Sequence, residues 1–390
     1  MDGIDFQHRT RLVFGAGSIA RLGDLAKELG ASRALVVSDP GVVSAGHFAR
    51  GREAILASGI EVLSFHDVHE NPSTKDVETG VAVARDFRPN MLVGLGGGSS
   101  MDCAKGINFL YSCGGKMEDY WGVGKATANM LPMIAVPTTA GTGSEAQSFA
   151  LISHAETHVK MACGDSRAAC RVAVLDPELT LTQPPRVTAL TGIDALSHAL
   201  ESYVTSRRNE LSCCYSRQAW RLLSGGFPQV LVQPSDIEAR GQVQLGAFFA
   251  GLAIETSMLG AAHALANPLT ARYGVTHGQA VGMMLPEVIR FNGQQVRPGY
   301  TDLWHDAAAH QGLNVRRDDD TVELLAAFVR SLVAQAGLAT ELSQVGVDRA
   351  SIPTLAVDAT KQWTGTFNPR KLVEEDFREL YARTFGSDVQ

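Results

Sequence analysis

The stretch MLVGLGGGSSMDCAK, residues 91–105, decides the fold of this chain. It opens with an apolar run typical of a strand at 91–94, passes through three consecutive glycines at 96–98 and continues into a helical pattern from Asp102. Glycine has no Cβ, so the backbone can approach a ligand there, and the N-terminus of the next helix offers free N–H donors. The stretch predicts a strand–loop–helix unit that binds a phosphate; a plain tight turn is the alternative interpretation.

Similar apolar runs alternate with helical patterns through the first half of the chain. The runs with strand character are residues 11–14, 34–37, 61–65, 133–136 and 173–176. This alternation predicts a parallel α/β sheet in a dinucleotide-binding domain over residues 1–180. Two prolines at 184–185 interrupt the chain, and helical patterns dominate after them. Residues 181–390 are therefore predicted to form an all-α metal and substrate domain.

Composition excludes several classes of function for these 390 residues. Apolar residues make up 45% of the chain, which is enough for large cores, and the net charge of -7 without a long basic run argues against a nucleic-acid partner. The longest nearly apolar stretch, 244–255, is too short to span a bilayer, and the acidic start has no signal-peptide character. The six cysteines form no CxxC pair, which indicates reduced thiols in a cytoplasmic protein. The acidic surface and the apolar content also permit a homodimer.

Two further loops compete for the nucleotide. GAGSIA at 15–20 fits the GxGxxA fingerprint, and Asp39 follows at the end of the next predicted strand, where a carboxylate can bind a ribose and repel a 2′-phosphate. Asp39 therefore favours NAD over NADP, unless it is an ordinary turn residue before Pro40. PTTAGTGSE at 137–145 places several hydroxyls and two glycines after a strand, as a nucleotide loop or as a turn that caps a helix through Thr142 or Ser144.

One aspartate and three histidines are candidate ligands of a metal. Asp194 and His198 are four residues apart in a predicted helix, so they share one face, and their neighbours are apolar. His263 stands in an apolar segment and His277 follows a glycine turn. Such a set suits a divalent transition metal, yet spacing alone does not bring the four together, and a single histidine is more often a satisfied core residue.

Several long motifs, in the same order along the chain, resemble those of the iron-containing (group III) alcohol dehydrogenases, which share a fold with dehydroquinate synthase. They are GGGSSMDCAK at 96–105, PTTAGTGSE at 137–145, DPELT at 176–180, TGIDALSHALESY at 191–203, HALANP at 263–268, GVTHGQAVGMMLP at 274–286 and NPR at 368–370. The resemblance implies hydride transfer between a small alcohol or diol and NAD(H), with the reverse reduction of an aldehyde or ketone, assisted by Fe²⁺ or Zn²⁺.

The resemblance also implies roles for particular residues. The metal ligands, through which catalysis would proceed, would be Asp194, His198, His263 and His277. The pyrophosphate loop would be 96–99, so that the loop at 15–20 becomes a turn. The implied cofactor-binding residues, together with Asp39, are Asn71, Gly96, Gly97, Gly98, Ser99, Asp102, Thr138, Thr139, Thr142, Lys160 and Leu179.

One position departs from the family pattern, and two other functions are open. The family usually has a second histidine four residues after the third ligand, where this chain has Asn267, and an amide does not titrate near neutral pH. A lyase of the dehydroquinate synthase type would need lysines and arginines for an anionic substrate, but the residues around the candidate ligands are Ala, Leu, Gly and Met. A relative that binds nucleotide and metal without turnover is the other alternative.

Overall fold

A computed structural model describes residues 6–316 and 318–385. The strands are β1 (Arg11–Phe14), β2 (Arg33–Val37), β3 (Glu61–Phe65), β4 (Met91–Gly96), β5 (Gly122–Val123), β6 (Met133–Pro137), β7 (Phe149–Ser153), β8 (Lys160–Gly164) and β9 (Val172–Leu175). The helices of the first half are α1 (Leu22–Glu28), α2 (Pro40–Ser44), α3 (His47–Ala57), α4 (Thr74–Phe87) and α5 (Gly98–Cys113). Those of the second half are α6 (Pro185–Val204), α7 (Glu210–Val232), α8 (Ile237–Thr256), α9 (Ala261–Tyr273), α10 (His277–His310), α11 (Thr321–Gln335), α12 (Ile352–Thr360) and α13 (Glu374–Thr384).

The main sheet is parallel and has the strand order β1-β9-β6-β4-β2-β3 in the described chain. Every residue of β4 and β6 is buried, as expected for central strands that are covered on both faces. Val36 pairs with Val93, and Gly96 pairs with Pro137, so β2, β4 and β6 end side by side. The predicted fold class, a parallel α/β half followed by a helical half, is confirmed, and the loops after these three strands share one edge of the sheet.

A small second sheet, with the order β5-β8-β7, was not predicted from the sequence. Strands β7 and β8 are antiparallel, and Phe149 pairs with Gly164. A Cβ on Gly164 would lie 2.3 Å from the Phe149 ring, so the ring covers this glycine. The sheet was missed because β5 has only two residues and β8 ends in a cysteine and a glycine, which gives no run of β-branched residues.

The described residues pack into two compact units. One runs from the start of the described chain to Thr139 and includes Ser144–Thr182, and the other combines Ala140–Gly143 with the chain from Gln183 onward. In the second unit, α6 is buried along most of its length and packs against α7, α8 and α10. A Cβ on Gly192 would lie 2.1 Å from the Phe227 ring, so this glycine permits the close approach of α6 and α7.

Helices α8 and α9 lie in the core of the second unit over much of their length. Among the described residues, no single helix combines the length and the apolarity needed to cross a bilayer. In the described part of the chain, one pair of helices, α8 and α9, meets such a criterion together, across a bend of 103°.

All six cysteines are free thiols. Cys103, Cys163 and Cys170 are buried in the α/β unit, whereas Cys213 is half-buried and Cys214 is exposed on α7 of the helical unit. Burial raises the pKa of Cys163 to about 12 and that of Cys170 to about 11. The buried thiols are therefore protonated at neutral pH and are poor nucleophiles.

Candidate active site

Three helices of the helical unit bring the four candidate metal ligands together. Asp194 and His198 are one turn apart on α6, His263 is in the first turn of α9, and His277 is the first residue of α10. Asp194 Oδ1 lies 3.4 Å from His198 Nε2, 3.7 Å from His263 Nε2 and 3.6 Å from His277 Nε2. Asp194, His263 and His277 have ligand atoms all within 4.8 Å of one another. His198 is not part of this mutual group, but it approaches the same carboxylate oxygen.

This cluster is buried except on one side. Asp194, His198 and His263 are each less than a tenth exposed, whereas the His277 side chain is 33% exposed. Burial alone would raise the pKa of Asp194, but the surrounding histidines hold it well below its usual range. Burial lowers the pKa of His198, while the carboxylates of Asp194 and Glu201 overcome the effect of burial on His263 and raise its pKa to about 9. In the absence of a cation the electrostatics therefore favour an ionised Asp194, which attracts positive charge in the form of a proton on His263 or of a bound cation.

The donor atoms fit a divalent cation. Asp194 Oδ1 and His263 Nε2 are buried and have no hydrogen-bond partner among the described residues, an arrangement that is costly unless something else satisfies them. A cation held tetrahedrally at about 2.1 Å from its ligands separates the ligand atoms by about 3.4 Å. The three distances from Asp194 Oδ1 are close to this value. One carboxylate and three imidazoles suit iron or zinc equally.

Glu201 belongs to this cluster, and the sequence reasoning did not assign it a role. Its Oε2 lies 2.6 Å from His263 Nδ1, and its Oε1 accepts a hydrogen bond from the backbone N–H of Ala262 at 2.7 Å. The sequence does contain an indication of this role. Glu201 follows Asp194 by seven residues, so it shares the face of α6 that carries Asp194 and His198.

The glycine loop after β4 has the geometry that the sequence predicts for a close backbone approach. Gly96 has φ +155°, and a Cβ there would lie 2.3 Å from Ser100 Oγ and 2.9 Å from Asp39 Oδ2. Gly97 precedes α5 and has no side chain that could cap the helix. A Cβ on Gly97 would lie 3.3 Å from the Thr139 side chain. Gly98 is the first residue of α5. The loop therefore needs its glycines, and the start of α5 is available to an anion.

Three of the implied cofactor residues form a chain of contacts beside this loop. The backbone N–H of Asn71 donates to Ser99 Oγ at 3.1 Å, and Lys160 Nζ donates to Asn71 Oδ1 at 3.0 Å. Asn71 has φ +53°, an uncommon conformation that asparagine tolerates better than most residues. The structure thus brings Asn71, Ser99 and Lys160 together in the α/β unit.

Both carboxylate oxygens of Asp39 accept hydrogen bonds. Oδ1 accepts from Val42 N at 3.0 Å and so caps α2, and Oδ2 accepts from Ser100 Oγ at 2.9 Å. Asp39 therefore lies at the edge of the sheet where β2 and β4 end, in contact with the residue that follows Ser99. The alternative of a turn aspartate is partly right, since the residue does cap a short helix.

Asp102 is held by a buried polar network. Ser144 Oγ donates to Asp102 Oδ1 at 2.6 Å, and Lys105 Nζ donates to Ser144 Oγ at 2.9 Å and to three carbonyl oxygens at 2.6–2.9 Å. Burial raises the pKa of Asp102 although Lys105 opposes it. Thr138 N donates to the Gly96 carbonyl at 3.0 Å, which ties the loop after β6 to the glycine loop.

Leu179 and Thr142 are the remaining implied cofactor positions. Leu179 has no exposed surface and is part of the apolar core of the α/β unit, so its role as a cofactor residue stays a prediction. Thr142 lies within Ala140–Gly143, which packs with the helical unit. A Cβ on the following Gly143 would lie 2.7 Å from Gly251 Cα, so that short segment contacts α8 closely.

The competing loop at 15–20 is already satisfied by the protein itself. Asp176 Oδ1 accepts from Gly17 N at 3.0 Å, and Asp176 Oδ2 accepts from Ile19 N at 3.1 Å. A short 3₁₀ turn, Ser18–Arg21, follows rather than a long helix. These N–H groups are bonded to a buried carboxylate, which would also repel a phosphate, so the loop is a turn as the resemblance implies.

Asn267 lies one turn after His263 on α9 and is half-buried. Its Nδ2 donates to Gln362 Oε1 at 3.0 Å. The residue that departs from the family pattern is therefore fixed by a second amide, and neither of the two titrates.

Comparison with known proteins agrees with this picture over both halves. A family profile described as iron-containing alcohol dehydrogenase matches residues 9–177, and the C-terminal profile of the Fe-containing alcohol dehydrogenase family matches residues 188–385. The chain belongs to the iron-containing alcohol dehydrogenase family. The predicted family and the predicted enzyme class are therefore confirmed.

Individual relatives of this family are similar along nearly the whole chain. The 1,3-propanediol dehydrogenase of Citrobacter freundii is 32% identical over 95% of this chain and 96% of its own length. The NAD-dependent methanol dehydrogenase of Bacillus methanolicus is 32% identical over 94% of this chain and 96% of its own. A crystal structure of 1,3-propanediol oxidoreductase has a TM-score of 0.94 at 31% identity and covers 98% of this chain and 100% of that one. The predicted cofactors are iron, which the family name contains, and NAD, which the name of the methanol dehydrogenase contains.

Proposed function

We propose that this chain oxidises a small alcohol or diol with NAD⁺ and reduces the corresponding aldehyde or ketone with NADH, using Fe²⁺ or Zn²⁺. The observation that carries the proposal is the arrangement of three imidazoles around Asp194 Oδ1 at 3.4–3.7 Å. Relatives named for 1,3-propanediol and methanol support a short, weakly charged substrate. When bound, the cation acts as a Lewis acid on the substrate oxygen and the nicotinamide exchanges the hydride.

The helical unit supplies the ligands. Asp194, His198, His263 and His277 hold the cation, and the apolar neighbours of Asp194 and His198 on α6 keep water away from it. The exposed side of His277 gives the substrate its access. Lysines and arginines are absent from 190–203, 260–271 and 274–289, the described segments that carry the ligands, which disfavours an anionic substrate.

The α/β unit supplies the nucleotide site. Gly96, Gly97, Gly98 and Ser99 bind the pyrophosphate at the start of α5, where the backbone is open to close approach. Asp39 accepts hydrogen bonds from the adenosine ribose and disfavours a 2′-phosphate. Asn71, Lys160, Asp102, Thr138 and Thr139 complete this site in the α/β unit, and Thr142 stays a cofactor residue that the family resemblance implies.

Metal analysis combined with a screen of alcohols tests the proposal. The purified chain should contain or take up about one Fe²⁺ or Zn²⁺ and should reduce NAD⁺ with methanol, longer primary alcohols or 1,3-propanediol. His263→Ala should lose both metal and turnover, because one of four ligands is missing. His305→Ala, an exposed histidine on α10, is the control and should retain both. Turnover by H263A without bound metal would refute the ligand assignment.

A cytoplasmic location and a homodimer complete the proposal. Six free thiols fit a reducing compartment. Light scattering on the purified chain would measure its mass directly, and a monomer at micromolar concentration would refute the dimer.

A further inference from the structure

Helix α9, which carries His263, begins without a cap of its own. The preceding residue, Gly260, has no side chain, so the first free N–H groups of the helix need other partners. Two side chains that are distant in sequence provide them. Asn368 Oδ1 accepts from Ala261 N at 3.3 Å, and Glu201 Oε1 accepts from Ala262 N at 2.7 Å.

Glu201 has a second contact that Asn368 lacks. Its Oε2 lies 2.6 Å from His263 Nδ1, and both side chains are at most 5% exposed. One carboxylate on α6 therefore accepts from the backbone and from the imidazole of the same turn of α9. A Cβ on Gly260 would lie 3.0 Å from Glu201 Oε1, so the glycine leaves room for this arrangement.

Asn368 is anchored elsewhere. Its Nδ2 donates to Asn292 Oδ1 at 2.8 Å and to the Arg370 carbonyl at 2.7 Å, and its Oδ1 also accepts from Asn292 Nδ2 at 2.9 Å. It thus joins the NPR motif to α9 and α10. The two residues differ in one respect that an experiment can use: both hold the start of α9, but only Glu201 touches the imidazole.

We propose that Glu201 is the positioning residue of the metal centre, which sets the tautomer and the orientation of His263 so that Nε2 carries the lone pair toward the cation. This inference rests on the proposed metal site. Both partners of Glu201 are donors, the Ala262 N–H and the His263 Nδ1–H, and an ionised carboxylate has two acceptor oxygens for them. With Nδ1 protonated and held, Nε2 is the ligand atom, and it is the nitrogen that faces Asp194 at 3.7 Å.

Glu201→Gln is the decisive substitution, because an amide has one acceptor oxygen and one donor nitrogen. If the oxygen keeps the bond to Ala262 N, the amide N–H faces His263 Nδ1, which then has to accept and leave its proton on Nε2, the metal-binding atom. If the amide is reversed, its N–H meets the Ala262 N–H. Either orientation disturbs His263, and the first does so without loss of the helix cap.

The experiment measures Co²⁺ affinity of the full-length protein by competition with a chelator, together with the melting temperature of the metal-free protein. E201Q should bind Co²⁺ about 10- to 100-fold more weakly than the wild type, the usual effect of losing such a partner. Glu201→Asp, which keeps two acceptor oxygens, should recover part of that loss. Asn368→Ala should lower the melting temperature yet change the Co²⁺ affinity by less than about threefold, because the histidine partner is intact.

Glu287→Gln is the matched control for loss of a buried carboxylate in the same unit, since Glu287 pairs with Arg290 at 2.5 Å on α10. It should leave Co²⁺ affinity unchanged. Wild-type affinity in E201Q, or an equal loss in N368A, would overturn the role of Glu201 while the proposed metal site stands. Failure of the wild type itself to bind Co²⁺ would overturn the metal site and this role together.

Discussion

Asp39 illustrates how one side chain combines structure and selectivity. Its two oxygens cap α2 and bind Ser100, next to the glycine loop. Asp39→Gly is expected to raise kcat/KM with NADP⁺ relative to NAD⁺ by about tenfold or more, since relief of 1.4 kcal/mol of repulsion already corresponds to a factor of ten. Glycine is an acceptable cap, so the fold should persist.

Ser100→Ala is the control for Asp39, because it removes the hydrogen bond but keeps the charge. Steady-state kinetics with both nucleotides measure the effect. If D39G and S100A share the wild-type ratio of NADP⁺ to NAD⁺ efficiency, Asp39 has no part in selectivity.

Asn267 offers a second test at the level of one residue. Asn267→His places a titratable ring one turn from His263, where the wild-type amide is bonded to Gln362. If proton transfer limits turnover, the pH profile of kcat should gain an inflection near pH 6–7, the ordinary range of a histidine. Gln362→Ala, which disturbs the same pair without adding a titratable group, should show no new inflection. A profile for N267H identical to that of the wild type would mean that the departure has no effect on the rate-limiting step.

Individual ligands were easier to predict than the residues that hold them. Asp194 and His198 stand out because polar residues at helical spacing in an apolar segment need partners. Glu201 has the same spacing, but its partner, His263, is 62 residues away, and no local pattern predicts that pairing. Asp176 was similarly overlooked, although its carboxylate decides which of two glycine loops is a turn.

At the scale of elements, the glycine loop between β4 and α5 carries the clearest mechanical prediction. Gly96→Ala would strain the backbone at φ +155° and place a Cβ 2.3 Å from Ser100 Oγ. We expect a loss of unfolding free energy of about 1–3 kcal/mol and a higher Kd for NAD⁺. Thermal melts and nucleotide titrations measure the two effects.

Gly30→Ala is the control that separates backbone strain from a steric clash of the new Cβ. Gly30 has φ +81°, but a Cβ there would meet nothing within 4 Å. It should lower stability and leave the Kd for NAD⁺ unchanged. A variant G96A that binds NAD⁺ as tightly as G30A does would show that the loop does not contact the nucleotide closely.

Several strands were predicted correctly from local runs of apolar residues. The predicted runs at 11–14, 61–65 and 133–136 lie in β1, β3 and β6. Strand β6 is buried throughout, whereas β1 and β3 are edge strands with exposed positions whose apolar and β-branched residues still favour a strand. Ser73 caps α4 in a capping box with Asp76. The GAGSIA loop at 15–20 leads into a short 3₁₀ turn, Ser18–Arg21, and α1 begins only at Leu22.

For the whole molecule, the buried Glu145 predicts a dependence of stability on pH. Burial raises the pKa of Glu145 to about 7 from an ordinary value of 4.5. Between pH 4.5 and pH 7, Glu145 is therefore protonated in the folded chain and ionised in the unfolded chain. The contribution of Glu145 to the free energy of unfolding is fully present below pH 4.5 and falls as the pH rises to 7. Glu145→Gln removes the titration, and its free energy of unfolding relative to the wild type should increase by about 2 to 3 kcal/mol between pH 5 and pH 8.

Denaturant unfolding of both proteins at the two pH values measures this difference. Glu156→Gln, at an exposed position in the same unit, is the control and should follow the wild type at both. A constant difference between E145Q and the wild type would mean that Glu145 is ionised in the folded chain at pH 5 already.

The distribution of thiols has a practical consequence. Since Cys103, Cys163 and Cys170 are enclosed in the α/β unit, an alkylating reagent such as iodoacetamide reaches them only when that unit opens. The less enclosed Cys213 and Cys214 of the helical unit react early and mark the total dose. Mass spectrometry of samples labelled for different times thus measures the rate at which the α/β unit opens. The five native cysteines report it, so no cysteine has to be introduced.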